Sequence, residues 1–324
     1  GGPCIFNPEP IADFFDLIYI GEGETRYREL LDLYKESRKN NDSREEFLHK
    51  AAKLPGIYVP SLIDVEYNAD YTVKGFVPLK DDISARIKKE VEINLNDSYY
   101  PTKPVIPFVK ATQDRNTLEI MRGCPRGCSF CIVGGKEGKC SRKVADLSEF
   151  WDGQKNIVLC DPNILACKDW KELLQQLIDA KAVVDFNQGL DIRMMTEEKI
   201  EMLNQIKFKE IHFAWDRYQD KEKVLPKLEL FAKHTRIKKK DTKHHGVVYT
   251  ITNYDTTLEQ DLDRVYTLRD MGYYPYVMVY DKAHCNPIYK KLQRWVNNPF
   301  VFTKCETFED YNRTRVPDSL PVLF

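Results

Sequence analysis

The feature that most constrains this fold is a regular alternation of strand-like and helix-like segments from about residue 117 onward. Apolar runs such as NIVLCD at 156–161 and GVVYTIT at 246–252 are typical of strands. Between them, segments such as DWKELLQQLIDAK at 169–181 carry apolar residues at helical spacing, and Thr196 before a Glu-rich turn predicts a helix start. This alternation is typical of a parallel α/β sheet with outer helices. Six units are too few for a closed eight-fold barrel, so we predict an open, partial (β/α)6 barrel resembling a TIM barrel.

A group of cysteines follows the first strand of this pattern. Cys124, Cys128 and Cys131 are spaced C-x3-C-x2-C. Gly123 directly precedes the first cysteine, and Gly127 directly precedes the second. Glycine lets a backbone wrap closely around a ligand because it has no Cβ. Ligands of parallel α/β sheets bind at the carboxyl ends of the strands, so this loop is expected at the ligand-binding edge.

Three local thiols suit two kinds of metal site. A structural zinc ion takes four ligands and would need Cys140 or a more distant cysteine as the fourth. A [4Fe–4S] cluster held by three cysteines leaves one iron open to bind a substrate. The chain has nine cysteines in 324 residues, and a tight group of them in a chain of this size indicates a metal or redox site rather than a disulfide framework. The roles of Cys4 and Cys140 are left open.

The motif, with Phe130 directly before its last cysteine, resembles that of the radical SAM superfamily. The resemblance implies an enzyme that binds a [4Fe–4S] cluster through Cys124, Cys128 and Cys131, and S-adenosylmethionine (SAM) at the open iron. In that family, reductive cleavage of SAM yields a 5′-deoxyadenosyl radical, which abstracts hydrogen from a substrate or leads to transfer of a group. The resemblance also implies a flavodoxin- or ferredoxin-like protein as the reductant. It identifies neither a catalytic residue nor the substrate, for which RNA and protein are both candidates.

The resemblance also divides the chain into parts. Residues 1–54 resemble the end of a cobalamin-binding-type, Rossmann-like α/β domain whose early strands are missing, and residues 55–115 indicate an irregular connector with a helix near 82–91. We assign residues 116–282 to the partial barrel and residues 283–324 to a C-terminal helix and a covering tail. The part after the cysteine loop resembles short, stand-alone radical SAM proteins. We therefore expect a fragment or a recombinant of two families. The cobalamin-ligand motif Asp-x-His-x-x-Gly is absent, which leaves cobalamin binding without sequence support.

Polar residues that follow the later strands are candidates for contacts with SAM. Asp161 and Asn163 follow the second strand and can accept a hydrogen bond from the SAM amino group, although Asp-Pro-Asn is also an ordinary turn. Arg193 follows the third strand and can pair with the SAM carboxylate. Asp216 follows the fourth strand and is a candidate for the ribose hydroxyls. The predicted SAM-binding residues are Phe130, Asp161, Asn163, Gln188, Asp191, Arg193 and Asp216.

The composition argues against several other classes of protein. A formal net charge of −1 gives no global signal for a polyanionic partner. No apolar run reaches the ~18 residues that a membrane span needs, so we expect no membrane partner and a cytoplasmic location. The basic stretch 233–246 is either a solvated loop or a contact for nucleic-acid phosphates. The rival hypothesis is therefore a zinc-stabilised nucleic-acid-binding protein without radical chemistry.

Overall fold

The computed structural model describes residues 7–93, 115–208, 210–237 and 244–311, with the backbone alone for residues 115–118. The chain divides into two compact units, Gly1–Pro101 and Thr102–Phe324. The domain limits predicted from the sequence stay predictions. In the described part of the chain, no helix combines the length and the apolar character that crossing a membrane requires.

The first unit combines two helices with short antiparallel strands. Its elements are β1 (Ile18–Tyr19), α1 (Gly23–Asn40), α2 (Arg44–Ala51), β2 (Ile57–Tyr58), β3 (Ile63–Tyr67) and β4 (Val73–Pro78). Ser43 begins α2 with a capping box, because its hydroxyl accepts from the Glu46 N–H and the Glu46 carboxylate accepts from the Ser43 N–H. Leu30, Leu48 and Ile57 are buried together, so the two helices and β2 share one small core.

The helix expected near residues 82–91 does not form, and this prediction is wrong. The Glu90 N–H instead donates to the Ile20 carbonyl at 3.0 Å, and the Glu22 N–H donates to the Glu90 carbonyl at 3.0 Å. Gly21 lies between these bonds with φ +132°, and a Cβ there would stand 2.2 Å from the Glu90 oxygen. Pairing with this neighbouring segment outweighs the helical propensity of a Lys- and Glu-rich stretch.

The second unit alternates parallel strands with helices, as the sequence predicts. Its strands are β5 (Arg115–Leu118), β6 (Met121–Arg122), β7 (Arg142–Lys143), β8 (Asn156–Leu159), β9 (Val183–Phe186), β10 (His212–Ala214), β11 (Val247–Thr252) and β12 (Tyr274–Val279). Its helices are α3 (Val133–Lys136), α4 (Trp170–Ala180), α5 (Glu197–Leu203), α6 (Lys221–His234), α7 (Leu258–Asp270), α8 (Pro287–Val296) and α9 (Pro299–Lys304).

Six of these strands form two parallel sheets in chain order, β5-β8-β9 and β10-β11-β12. Between the two sheets the ladder is irregular, with one bridge between Val183 and Lys207 and a hydrogen bond from the Leu190 N–H to the His212 carbonyl at 2.8 Å. The described residues therefore show α/β architecture without a closed barrel. The partial (β/α)6 barrel remains a prediction.

Helices cover one face of each sheet, and their apolar residues form the main core. Leu173, Leu174 and Leu177 of α4 are completely buried at the spacing that predicts an inward-facing helix stripe. Phe213 of β10 packs edge-to-face on Phe231 of α6, with 4.9 Å between ring centroids. This layering leaves the carboxyl ends of the strands to the connecting loops, where the cysteines lie.

Candidate functional site

The cysteine loop connects β6 to α3, and backbone contacts close its base. The Cys124 N–H donates to the Gly138 carbonyl at 3.1 Å. Gly123 has φ +83°, and a Cβ at this position would stand 2.2 Å from the Cys140 carbonyl oxygen. Only glycine meets both conditions without strain, so Gly123 allows the loop to fold back on itself beside the first cysteine.

The three thiols of the loop are free and lie near one another. Cys124 and Cys128 are half-buried and Cys131 is exposed. Burial raises the pKa of Cys128, and the negative charge of Asp216 raises it further, while Arg193 opposes both effects. Cys124 and Cys131 also raise this pKa through their charges. The Cys128 side chain therefore lies within electrostatic reach of both Cys124 and Cys131.

The two metal sites that the sequence allows need different arrangements of ligands. Among the described residues, no group of three or more His, Cys, Asp or Glu side chains is arranged to hold a metal ion. A zinc ion gathers four ligands around one point, with sulfur at about 2.3 Å. In a [4Fe–4S] cluster each cysteine binds a different iron, so the thiols need not converge so tightly. Three thiols on one glycine-containing loop match the number of cysteines in a cluster with one open iron, and their role as its ligands remains a prediction.

Asn163 contacts the cysteine loop from the carboxyl end of β8. Its side-chain Nδ2 donates to the Cys124 sulfur at 3.5 Å. The residue is only 2% exposed, and its Oδ1 is buried without a hydrogen-bond partner among the described residues. An unsatisfied buried acceptor typically costs about 1–3 kcal/mol. A ligand that brings an N–H donor to this place would remove that cost.

Asp161 connects the same loop to the end of the first strand. Its Oδ1 accepts from the Ile120 N–H at 3.0 Å and the Met121 N–H at 2.6 Å. Burial raises the pKa of Asp161 to about 7, although these two N–H donors oppose the rise. Its Oδ2 is buried without a partner among the described residues. The structure thus gives Asp161 a backbone-positioning role that the sequence analysis missed, and contact with SAM remains a prediction.

A network of ion pairs joins the cysteine loop to the end of β9. Arg126 of the loop donates to Asp191 at 2.5 Å, and Arg193 donates to Asp191 at 2.8 Å and to Asp220 at 2.8 Å. Burial works to raise the pKa of Asp191, but the two arginines outweigh it and lower that pKa. Asp191 is therefore ionised and holds both guanidinium groups in place.

A buried ion pair that the sequence analysis missed shapes the ends of β10 and β11. Arg264 of α7 is 0% exposed and donates to the carbonyls of Trp215, Asp216 and Ile251 at 2.6–2.8 Å. It also donates to the carboxylate of Asp261 at 2.5 Å. The sequence signal for this ion pair was that Asp261 and Arg264 stand three positions apart on the apolar, inward-facing side of α7.

The same arrangement positions Asp216. Burial raises the pKa of this carboxyl to about 6, and the positive charges of Arg264 and Arg193 oppose that rise. Asp216 follows the carboxyl end of β10, and its charge acts on the Cys128 thiol. Its predicted contact with the ribose stays a prediction.

A cavity of about 380 Å³ opens beside the cysteine loop. Phe130 packs edge-to-face on Tyr254 at 5.2 Å, and the Tyr254 hydroxyl hydrogen-bonds to the Ser129 hydroxyl. The residues that line it are Arg126, Gly127, Cys128, Ser129, Phe130, Arg193, Arg217, Asp220, Lys223, Tyr254 and Asp255. Two of the predicted SAM-binding residues, Phe130 and Arg193, thus meet one predicted cluster ligand around a single space.

Other predicted positions lie apart from this cavity. Gln188 is exposed in the turn after β9 and is not among the described residues that line the cavity. Cys140 is an exposed free thiol. Cys4 and residues 238–243 of the basic stretch lie outside the described residues.

Three comparisons with known proteins add to this geometry. A family model described as "Radical SAM proteins, N-terminal" matches residues 1–60. An uncharacterized protein of Methanocaldococcus jannaschii is 28% identical over 134 residues, which make up 41% of this chain and 22% of that protein. The structure of the radical S-adenosylmethionine methyltransferase TsrM from Kitasatospora setae, with cobalamin and a [4Fe–4S] cluster bound, superposes with a TM-score of 0.50 at 12% identity.

The structural match covers 85% of this chain and 55% of TsrM, so the chain spans about a fifth to a half of the length of these relatives. At such low identity the match shows a shared fold. The family match over residues 1–60 and the C-x3-C-x2-C motif make the chain similar to radical SAM proteins, and the structural match shows a fold shared with one of them.

Proposed function

We propose that Cys124, Cys128 and Cys131 hold a [4Fe–4S] cluster in this chain, and that it catalyses hydrogen abstraction from, or group transfer to, a substrate. The observation that carries the proposal is the electrostatic interaction of Cys128 with both Cys124 and Cys131 on one short loop, with the Asn163 amide donating to Cys124. When bound and reduced, such a cluster supplies the electron that cleaves SAM into methionine and a 5′-deoxyadenosyl radical.

The 380 Å³ cavity beside Cys128 is the proposed SAM site. Arg193 is already paired with Asp191 and Asp220, so it presents a fixed guanidinium rather than a mobile one. Arg217 and Lys223 line the same cavity, and neither forms an ion pair with a described residue. We infer that these two cations, together with Arg193, attract the carboxylate of SAM.

Asn163 and Asp161 each offer a buried side-chain oxygen that has no hydrogen-bond partner within the described part of the chain. An ammonium group needs such acceptors, which supports the expectation that one of them binds the SAM amino group. Asp216, near Cys128, is the proposed acceptor for the ribose hydroxyls. Gln188 has no comparable support, since it is exposed away from the cavity.

We also propose the barrel architecture, the reductant protein and the cellular location that this chemistry requires. Six parallel strands in chain order support an open partial (β/α)6 barrel. The electron requires a small redox protein of the flavodoxin or ferredoxin type, and a reducing cytoplasm is the location that suits it. The TsrM structure contains cobalamin, but no described residue of this chain has been assigned to cobalamin, so no step here depends on it.

Anaerobic reconstitution tests this function. The purified full chain, supplied with iron and sulfide, should become brown, give the electron paramagnetic resonance signal of a reduced [4Fe–4S] cluster, and release 5′-deoxyadenosine from SAM when dithionite is added. Cys128→Ser should lose the cluster signal and the product. Cys285→Ser, a half-buried cysteine in the loop after β12, is the matched control and should keep both.

Two outcomes would contradict the proposal. One is undiminished 5′-deoxyadenosine formation in the Cys128→Ser variant. The other is a colourless wild-type protein that binds one zinc ion per chain, which would favour the zinc-stabilised nucleic-acid-binding alternative instead.

A further inference from the structure

A second and larger cavity, of about 1080 Å³, lies on the face of the β10-β11-β12 sheet that the core helices leave open. It extends from Glu210, just before β10, to Met278 near the end of β12. Phe302 of α9 forms part of the opposite wall. The cavity is thus large enough for a ligand of more than one ring and does not overlap the residues around the cysteine loop.

Aromatic rings form the strand side of this cavity. His212 and Tyr249 are stacked, with 5.3 Å between ring centroids and 5° between ring planes. Tyr276 of β12 meets Tyr249 edge-on at 5.7 Å, and its side of the sheet is open, with Tyr276 41% exposed. The exposed Tyr276 ring in a concave site favours a planar aromatic ligand, because stacking buries apolar area on both partners.

The Glu210 carboxylate lies on the strand side of the cavity, and Glu306 also lines it. Glu210 Oε2 lies 3.2 Å from His212 Nε2, and its side chain is 45% exposed. The hydrogen bond from His212 lowers the pKa of Glu210, and the charges of His212 and His244 act in the same direction. Glu210 is therefore ionised near neutral pH. Glu210 Oε1 lies 3.6 Å from His244 Nε2, so each carboxylate oxygen has one histidine neighbour and can accept one further hydrogen bond.

The positive charge that lines the same cavity is already engaged. Arg269 donates to the Glu306 carbonyl at 2.6 Å, and its guanidinium lies over the rings of Tyr266 and Phe302 at 5.0 and 5.5 Å. Glu210 thus offers an acceptor at the sheet surface, which suits a ligand that brings N–H donors.

Aromatic contacts also connect this cavity to the cysteine loop. Tyr276 and Met278 share one face of β12, because alternate residues of a strand point to the same side, and Tyr280 follows directly after the strand. Tyr280 contacts Tyr254 at 4.8 Å, and Tyr254 contacts Phe130 of the cysteine loop at 5.2 Å. A ligand bound against Tyr276 can therefore extend along the sheet toward the proposed cluster.

We infer that this cavity binds a planar nitrogen heterocycle that stacks on Tyr276, meets Tyr249 edge-on and donates neighbouring N–H groups to the Glu210 carboxylate. Resting on the proposed function, this heterocycle is the part of the substrate that anchors it for reaction at the cysteine loop. A carboxylate accepts two parallel N–H bonds best from an N–C–NH₂ edge, so the favoured class carries such an edge.

A binding experiment on the reconstituted full chain tests the inference independently of turnover. The probe is 2-aminobenzimidazole, a flat bicycle with this edge, and 1-methylbenzimidazole is its partner without N–H donors. Calorimetric titration should show binding of the first at least about tenfold tighter than the second. Glu210→Gln should weaken the probe about tenfold, because the charge-assisted bonds are lost. Tyr276→Leu should weaken it several-fold, since stacking is lost.

Control measurements distinguish a lost binding contact from a loss of folding. Glu229→Gln changes an exposed carboxylate on α6 and should leave probe affinity unchanged. Circular dichroism of each variant checks the fold, and Tyr276 is exposed enough that its replacement opens no core cavity. Displacement of the probe by guanosine would identify the ring as a nucleobase, and displacement by 6-methylpterin would identify a free bicyclic heterocycle. Either result supports the class.

The failures are distinguishable. Equal probe affinity in wild type and Glu210→Gln, in protein that still cleaves SAM, would overturn the inference and leave the proposed function standing. Glu210-dependent binding in protein that forms no 5′-deoxyadenosine would overturn the proposed function, and with it the anchoring of a substrate in this cavity.

Discussion

The Asn163 side-chain amide donates to the Cys124 sulfur across 3.5 Å, although the two residues lie 39 positions apart in the chain. Hydrogen bonds to cluster sulfurs are among the features that set the reduction potential of an iron–sulfur centre. Asn163 is therefore the described residue best placed to adjust the proposed cluster from outside its ligand set.

Asn163→Ala should leave the cluster assembled but make it harder to reduce. A hydrogen bond worth about 1 kcal/mol corresponds to about 40 mV in a one-electron couple, so the midpoint potential should fall by roughly that amount. A redox titration followed by electron paramagnetic resonance measures the shift. Asn187→Ala, an exposed asparagine after β9, serves as the control. An unchanged potential in Asn163→Ala would show that this bond does not act on the cluster.

Gly123→Ala should disrupt the cysteine loop. The added Cβ would stand 2.2 Å from the Cys140 carbonyl, and alanine is disfavoured at φ +83°. We expect a loss of roughly 1–3 kcal/mol in the free energy of unfolding and a lower iron content after reconstitution. Gly135→Ala is the matched control, because a Cβ there meets nothing within 4 Å. Full iron content in the Gly123 variant would mean that the loop tolerates the strain.

Arg264→Met should strongly destabilise the second unit. It leaves the Asp261 carboxylate buried and unpaired, and it removes the donor shared by the ends of β10 and β11. Breaking a buried pair in this way typically costs about 3–5 kcal/mol. Urea unfolding measures the change, and Arg294→Met on the exposed side of α8 should stay within about 0.5 kcal/mol of wild type. Similar losses in both variants would contradict the assigned role.

The buried carboxyl of Asp161 should make stability depend on pH. Its pKa rises from 3.8 to about 7 in the folded chain because of burial. The folded state therefore holds this proton in a range where the unfolded state has lost it, so the free energy of unfolding should fall as pH rises from about 4 to 7. Above pH 7 this contribution should be constant.

Asp161→Asn tests that dependence, because an amide keeps the acceptor for the two backbone N–H groups and does not titrate. The variant should flatten the profile between pH 4 and 7 relative to wild type, as measured by chemical unfolding at a series of pH values. Parallel profiles for the two proteins would refute a raised pKa at Asp161.

Local features of this protein were predictable because they depend on residues close together in the chain. The alternating strands and helices follow from which face of each segment is apolar, and the N-cap at Thr196 is confirmed by its bond from the Lys199 N–H. The C-x3-C-x2-C spacing likewise places three thiols on one loop before any fold is known. It was enough to indicate the superfamily.

Tertiary structure decided what those local elements contact. Only the packed chain brings Asn163 to Cys124, joins Arg126 to Asp191 and buries Arg264 under two strand ends. It also pairs Glu90 with the segment at Gly21, against the helical preference of its own neighbours. Such contacts depend on strand register and helix packing summed over the whole domain, and no short window of sequence contains that information.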